Sequence, residues 1–130
     1  MPPNQPHLLY KMSRFTLAAR LRSIKHALEG LLLLLKSQHN AWIHLAATTF
    51  VILAGIFYEI TATHWAIITL TIISVWVAEA LNTAFEYLCD VTNPEFHPLV
   101  KKAKDISAGA VLISALGAVI IGLIIFLSYT

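Results

Sequence analysis

Three carboxylates and an amide recur at helical spacing between residues 77 and 90. Read as an α-helix, this segment places them on one face at steps of 3, 4 and 4 residues: Glu79, Asn82, Glu86 and Asp90. Carboxylates one helical turn apart repel each other, so the stripe destabilises the helix unless a cation completes it. Carboxylate and amide oxygens without clustered histidines suit a hard cation such as Mg²⁺, and a Mg²⁺ site implies a phosphate-bearing ligand.

The same stripe also has a purely structural interpretation, because polar residues at the end of a membrane helix can simply face water. Asp90 fits that interpretation. Glu79 fits it poorly, since it lies where an apolar segment ends and an ionised carboxylate inside lipid needs a partner or a function. We therefore predict a functional site at Glu79, Asn82 and Glu86.

A second polar cluster follows in residues 93–105. Pro98 suits the first position of a helix, and three lysines then lie near the helix N-terminus, where the helix dipole also favours anions: Lys101, Lys102 and Lys104. This arrangement predicts a phosphate site, with Lys104 as the preferred contact. The alternative is that the lysines only set membrane topology, which fits Lys101 and Lys102 better.

Composition indicates which elements must position these residues. Of the 130 residues, 58% are hydrophobic and 12% are charged, about half the charge of a soluble domain. Three segments lack Asp, Glu, Lys and Arg, and each can span a bilayer as a helix: 37–58, 60–78 and 106–130. We predict an all-α integral membrane protein with a flexible tail at 1–12 and a single domain at 13–130. Its elements are an amphipathic surface helix and three transmembrane helices, at about 13–36, 41–60, 64–88 and 99–127.

The basic residues predict the orientation in the membrane. Six of the nine lysines and arginines precede the first span, three lie between the second and third spans, and the 59–64 hairpin has none. The positive-inside rule places the N-terminus and the polar site in the cytoplasm and the C-terminus outside. We expect a multi-pass protein of the cell (inner) membrane.

The motifs together resemble the prokaryotic diacylglycerol kinase family, most closely its undecaprenol kinase branch. They are EALNTAFEYLCD at 79–90, PEFHP at 94–98 and KKAKDISAGAVL at 101–112, and the resemblance covers about residues 23–127. It implies a homotrimeric helix bundle whose active sites are shared between subunits. It also implies direct transfer of the γ-phosphate of ATP to a membrane lipid alcohol, with Mg²⁺ as cofactor. No nucleic-acid partner is expected.

Carried over residue by residue, the resemblance makes Glu79 the general base, Asn82 a supporting polar group of the catalytic site, and Glu86 a Mg²⁺ ligand. Glu79 and Ala108 match substrate-binding positions. Six further residues match positions that contact the nucleotide: His26, Glu95, Phe96, His97, Lys104 and Asp105.

One departure concerns the metal. The family commonly has a metal-binding glutamate where this chain has Gln38. An amide oxygen can coordinate Mg²⁺ but neutralises no charge, so a second ion would bind more weakly.

Undecaprenol is the expected acceptor because residues 96–99 and 108–112 look more like that branch, and diacylglycerol is the alternative. Two interpretations from other classes stay open at this point. The chain could be a small oligomeric proton or cation conductor with Glu79 and Asn82 as ion ligands. It could also be a noncatalytic membrane scaffold. The conductor does not explain why Glu86, Lys104 and Asp105 gather at one boundary.

Overall fold

The computed structural model describes residues 16–130 and folds most of them into four α-helices. The helices are α1 (Leu17–Ser37), α2 (His39–Phe57), α3 (Ala62–Thr92) and α4 (Pro98–Leu127). The described chain divides into two units, one that ends at Gly30 and one that runs from Leu31 to Thr130. The predicted flexible tail at 1–12, and residues 13–15 of the predicted surface helix, lie outside the described residues. The predicted all-helical fold class is confirmed.

Three helices are long and apolar enough to cross a membrane: α2, α3 and α4. Many of their large apolar side chains point away from the rest of the chain, for example Phe57 at 79% and Ile113 at 74% exposure. Exposing such surface to water costs about 25 cal/mol per Å², whereas lipid solvates it without that cost. The prediction of a membrane protein is confirmed.

Capping side chains fix where α3 and α4 begin. The hydroxyl oxygen of Thr61, just before α3, accepts a hydrogen bond from the backbone N–H of His64 at 3.3 Å. His97 caps α4, since its ring Nδ1 accepts from the backbone N–H of Leu99 at 3.2 Å. Pro98 occupies the first turn of α4, where its missing N–H removes no helical hydrogen bond.

One end of the helices carries the α2–α3 turn. A buried apolar cluster lies there, formed by Ile60, Ile68 and Ile125. The hydroxyl of Tyr129 lies 2.7 Å from Nδ1 of His64 and accepts from the backbone N–H of Thr61 at 3.0 Å, which ties the end of the chain to the start of α3. The opposite end, where residues 93–97 connect α3 to α4, carries the polar stripe and the lysine cluster.

Candidate active site

The whole polar stripe lies on one helix, because α3 continues to Thr92 rather than ending near residue 88. Burial decreases along the stripe. Glu79 is 1% and Asn82 is 7% exposed, whereas Glu86 is half-buried and Asp90 is exposed. The stripe therefore leads from the packed interior of the helices to the outside.

The most buried carboxylate contacts a histidine from the neighbouring helix. Oε2 of Glu79 lies 3.3 Å from Nε2 of His44 on α2, and the side chain of His44 is 13% exposed. Sequence reasoning did not include His44 in the site. One signal could have found it, since it is a titratable side chain inside a segment otherwise suited to lipid.

Asn82 lies between the two glutamates of the stripe. Its amide Nδ2 donates a hydrogen bond to Oε1 of Glu86 at 3.2 Å. Its Oδ1 is buried and has no hydrogen-bond partner within residues 16–130, and the same holds for the hydroxyl of Thr83. A buried acceptor without a partner costs about 1–3 kcal/mol, so this oxygen is available to a ligand that supplies a positive charge or a donor.

These oxygens fit a Mg²⁺ ion by their chemistry, because carboxylate and amide oxygens are hard ligands. The described residues contain no group of three or more His, Cys, Asp or Glu side chains that could hold a metal ion. An ion held by Glu86 and Asn82 thus needs further oxygen ligands. Phosphate groups and water supply those ligands in Mg²⁺ sites of kinases.

A pocket of about 220 Å³ brings together three of the predicted site residues: Glu79, Asn82 and Ala108. α4 contributes only apolar side chains to its wall, Ala108, Val111, Leu112 and Ala115. A second pocket of about 280 Å³ adjoins it, because both are lined by Ile43, His44 and Ala115. The second pocket is almost entirely apolar and follows α2, α3 and α4 away from the stripe. The two together suit an apolar chain that ends in a polar group.

The lysine cluster is organised by two ion pairs. Nζ of Lys104 lies 2.8 Å from Oδ1 of Asp90, which links α4 to the end of α3. Nζ of Lys101 lies 2.6 Å from Oδ2 of Asp105, one turn along α4. Two of the predicted nucleotide contacts, Lys104 and Asp105, are therefore already paired within the chain.

The loop between α3 and α4 holds the other predicted nucleotide contacts of this region. The backbone carbonyl of Glu95 accepts from Nδ2 of Asn93 at 3.0 Å, and His97 caps α4. The ring of Phe96 is 80% exposed, so it is accessible to a ligand from outside the chain.

Two predicted site residues of residues 31–130, Gln38 and Glu86, do not line the pocket that holds Glu79. Gln38 precedes α2 and makes no side-chain capping bond, and it does not line that pocket in the described chain. His26 lies on α1, where its Nδ1 is 3.1 Å from Oε2 of Glu29. Glu86 contacts Asn82 but also lies outside the pocket lining.

Comparison with known proteins identifies similar chains. Residues 25–126 match the family model described as prokaryotic diacylglycerol kinase. The chain is 40% identical to the undecaprenol kinase of Bacillus subtilis over 106 residues, which are 82% of this chain and 86% of that protein. It is 39% identical to a diacylglycerol kinase of Synechocystis over 101 residues, 77% of this chain and 58% of that protein. A diacylglycerol kinase of Helicobacter pylori is 29% identical over 109 residues, 78% of this chain and 85% of that protein.

Proposed function

This chain belongs to the prokaryotic diacylglycerol kinase family and is therefore a membrane lipid kinase, and we propose that its phosphate acceptor is the hydroxyl of undecaprenol. The 40% identity to an undecaprenol kinase supports that acceptor. The conductor and scaffold interpretations lose their basis, since the matched relatives are kinases. Diacylglycerol is the second candidate acceptor, supported by the 39% identity to a diacylglycerol kinase.

The buried carboxylate of Glu79 in the smaller pocket, which adjoins the apolar pocket, carries this proposal. The apolar pocket accommodates the segment of the lipid chain next to the hydroxyl, and the hydroxyl then lies in the smaller pocket beside Glu79. Glu79 accepts the hydroxyl proton as the oxygen attacks the γ-phosphorus of ATP, the bond from that phosphorus to the β–γ bridging oxygen breaks, and ADP leaves. General-base catalysis requires the carboxylate within hydrogen-bond distance of the hydroxyl, and a position in the same pocket wall meets that requirement.

Mg²⁺ is the proposed cofactor, with Glu86 as its ligand, Asn82 as a supporting polar group of the catalytic site, and Gln38 as a weaker ligand for a second ion. When bound, the ion neutralises negative charge on the transferring phosphate. The residues of this chain then need mainly to position the two substrates, because phosphoryl transfer depends chiefly on alignment and charge stabilisation.

The nucleotide is proposed to bind where α4 begins. Lys104 supplies an ammonium group for a phosphate, and the exposed ring of Phe96 is accessible to the base. The other proposed contacts are His26, Glu95, His97 and Asp105. ATP cannot enter lipid, so this end of the helices is proposed to face the cytoplasm, in agreement with the positive charge around it.

A homotrimer with active sites shared between subunits is the proposed assembly. A stripe of small side chains on α4 lets membrane helices approach closely within or between subunits, and one of them, Ser114, lies 3.3 Å from Ser74 of α3 in the same chain. The stripe consists of Ala110, Ser114, Ala118 and Gly122. The cell (inner) membrane is the proposed location, with the C-terminus outside.

The test is a transfer assay on the purified protein in detergent. γ-labelled ATP and Mg²⁺ are supplied with undecaprenol or with diacylglycerol, and the labelled lipid is quantified. Glu79→Gln should lower turnover by about a hundredfold or more, since it removes the base. Glu59→Gln is the matched control, because it makes the same chemical change in the hairpin at the opposite end. Label mainly in phosphatidate would replace undecaprenol by diacylglycerol, and no label in either would overturn both acceptors.

A further inference from the structure

A chain of four side chains links α2 to α3 and ends on the buried carboxylate. Thr48 and His44 lie one turn apart on α2, and Trp76 and Glu79 lie one turn apart on α3. Nε1 of Trp76 donates to the hydroxyl oxygen of Thr48 at 3.1 Å. The rings of His44 and Trp76 meet edge to face, with centroids 6.2 Å apart at 68°. His44 then contacts Glu79 at 3.3 Å. Each contact restricts the orientation of the next group.

The proposed role of Glu79 as a base, which requires an ionised carboxylate, sets the direction of its hydrogen bond with His44. An ionised carboxylate can only accept hydrogen bonds, so Nε2 of His44 must donate to Oε2 of Glu79. The other carboxylate oxygen, Oε1, makes no hydrogen bond to any residue of the described chain. One oxygen is therefore held by the histidine while the second is available in the pocket.

We propose that His44 is a positioning residue that holds the Glu79 carboxylate with Oε1 directed to the lipid hydroxyl. This inference rests on the proposed role of Glu79 as general base. A base must keep its reacting oxygen in a narrow range of positions, and a carboxylate with one oxygen bound has lost most of its freedom to rotate. The Trp76 ring and its bond to Thr48 keep the imidazole in place.

The surroundings leave His44 as the principal partner of this carboxylate. α4 contributes only apolar side chains to the pocket, and Glu86 on α3 bonds to Asn82 rather than to Glu79. Without the histidine, Glu79 would be a buried carboxylate with no donor from residues 16–130. Such a group can rotate or recruit water, and either change moves the reacting oxygen.

The test compares two replacements of His44 with one of His64. His44→Gln keeps a side-chain N–H donor, whereas His44→Phe keeps a ring and removes the donor. His64→Phe is the matched control, because His64 is also half-buried and hydrogen-bonded, to Tyr129 at the other end of the helices. For each variant, kcat and the KM values for ATP and lipid are measured with the acceptor that the wild type uses.

We expect His44→Phe to lower kcat by about ten- to a hundredfold, the effect of losing a hydrogen bond to a charged group, with the KM for ATP nearly unchanged. His44→Gln should recover most of that loss, and His64→Phe should keep the wild-type kcat. Equal losses in the Phe and Gln variants of His44, or a loss confined to KM, would overturn the positioning role. Normal turnover in His44→Phe, when Glu79→Gln is inactive, would also overturn the positioning role. That result would leave the proposed function intact.

A second measurement does not depend on activity. The ring ¹⁵N signals of His44 and His64 are recorded in labelled protein, for the wild type and for Glu79→Leu. We expect the Nε2 signal of His44 to shift and that of His64 to stay in place. An unchanged His44 signal means that the contact is absent and the inference fails, even if the lipid assay has already failed for every acceptor.

Discussion

Lys104 and Asp90 form an ion pair of 2.8 Å that joins the start of α4 to the end of α3. Both residues lie on the side where a phosphate is proposed to bind, and the lysine is one of the proposed nucleotide contacts. The ammonium group therefore has a partner before ATP arrives. A bound phosphate has to share the lysine with Asp90 or displace Asp90 from it.

Asp90→Asn should lower the KM for ATP by about two- to fivefold. The substitution removes a competing negative charge from the lysine, and an exposed ion pair of this kind contributes about 0–1 kcal/mol. Salt screens the effect, so it should shrink when ionic strength is raised. ATP saturation curves at low and high salt measure both features. A higher KM for ATP in Asp90→Asn would instead mean that the carboxylate orients the lysine.

Glu86→Gln should raise the Mg²⁺ concentration needed for half-maximal activity, by about tenfold, and raise the KM for ATP with it. The change removes a charged oxygen ligand and leaves the hydrogen bond to Asn82 without its ionised acceptor. Activity is measured against Mg²⁺ at fixed ATP, with Glu59→Gln as control. An unchanged Mg²⁺ dependence would show that Glu86 holds no metal.

Gln38→Glu should lower the Mg²⁺ concentration for half-maximal activity, because it adds a negatively charged ligand at the position proposed to hold a second ion. A gain of about fivefold is expected for one added carboxylate on a cation. Gln38→Met, which has similar size and no oxygen ligand, is the comparison. If both variants behave like the wild type, residue 38 is not a metal ligand.

Gly55→Ala should destabilise the protein without changing its turnover. A Cβ at this position would lie 2.7 Å from the ring of Trp65, so the indole or the helix has to move. Such overpacking costs about 1–3 kcal/mol. Gly30→Ala has open space around it and should be neutral or stabilising, since alanine favours helix. Thermal unfolding and kcat are compared for both variants, and a large drop in kcat for Gly55→Ala would contradict the separation between the two ends.

The sequence was sufficient for features that depend on composition and local periodicity. Charge-free segments predicted three helices able to span a membrane, and Pro98 marked the start of α4. Helical spacing placed Glu79 and Asn82 on one face of α3. These features depend on single helices, so no knowledge of packing was needed.

Contacts between helices were not predictable in the same way. The pairing of His44 with Glu79 spans 35 residues and depends on how α2 and α3 are rotated toward each other. The pairing of Lys104 with Asp90 depends on how residues 93–97 turn the chain back. Asp90 was expected only to face water, and it is exposed, but its partner comes from the next helix.

The length of α3 has a consequence for how the two substrates meet. The helix has 31 residues, about 46 Å at the usual rise, whereas the hydrocarbon of a bilayer is about 30 Å thick. Counted from Ala62, Glu79 stands about 26 Å along the axis and Glu86 about 36 Å. For a helix that enters the hydrocarbon at Ala62 and runs along the membrane normal, Glu79 lies just inside the hydrocarbon and Glu86 just beyond it. The length of α3 thus sets the depth of both carboxylates relative to the membrane surface. The rate of phosphate transfer is therefore expected to depend on the thickness of the surrounding bilayer.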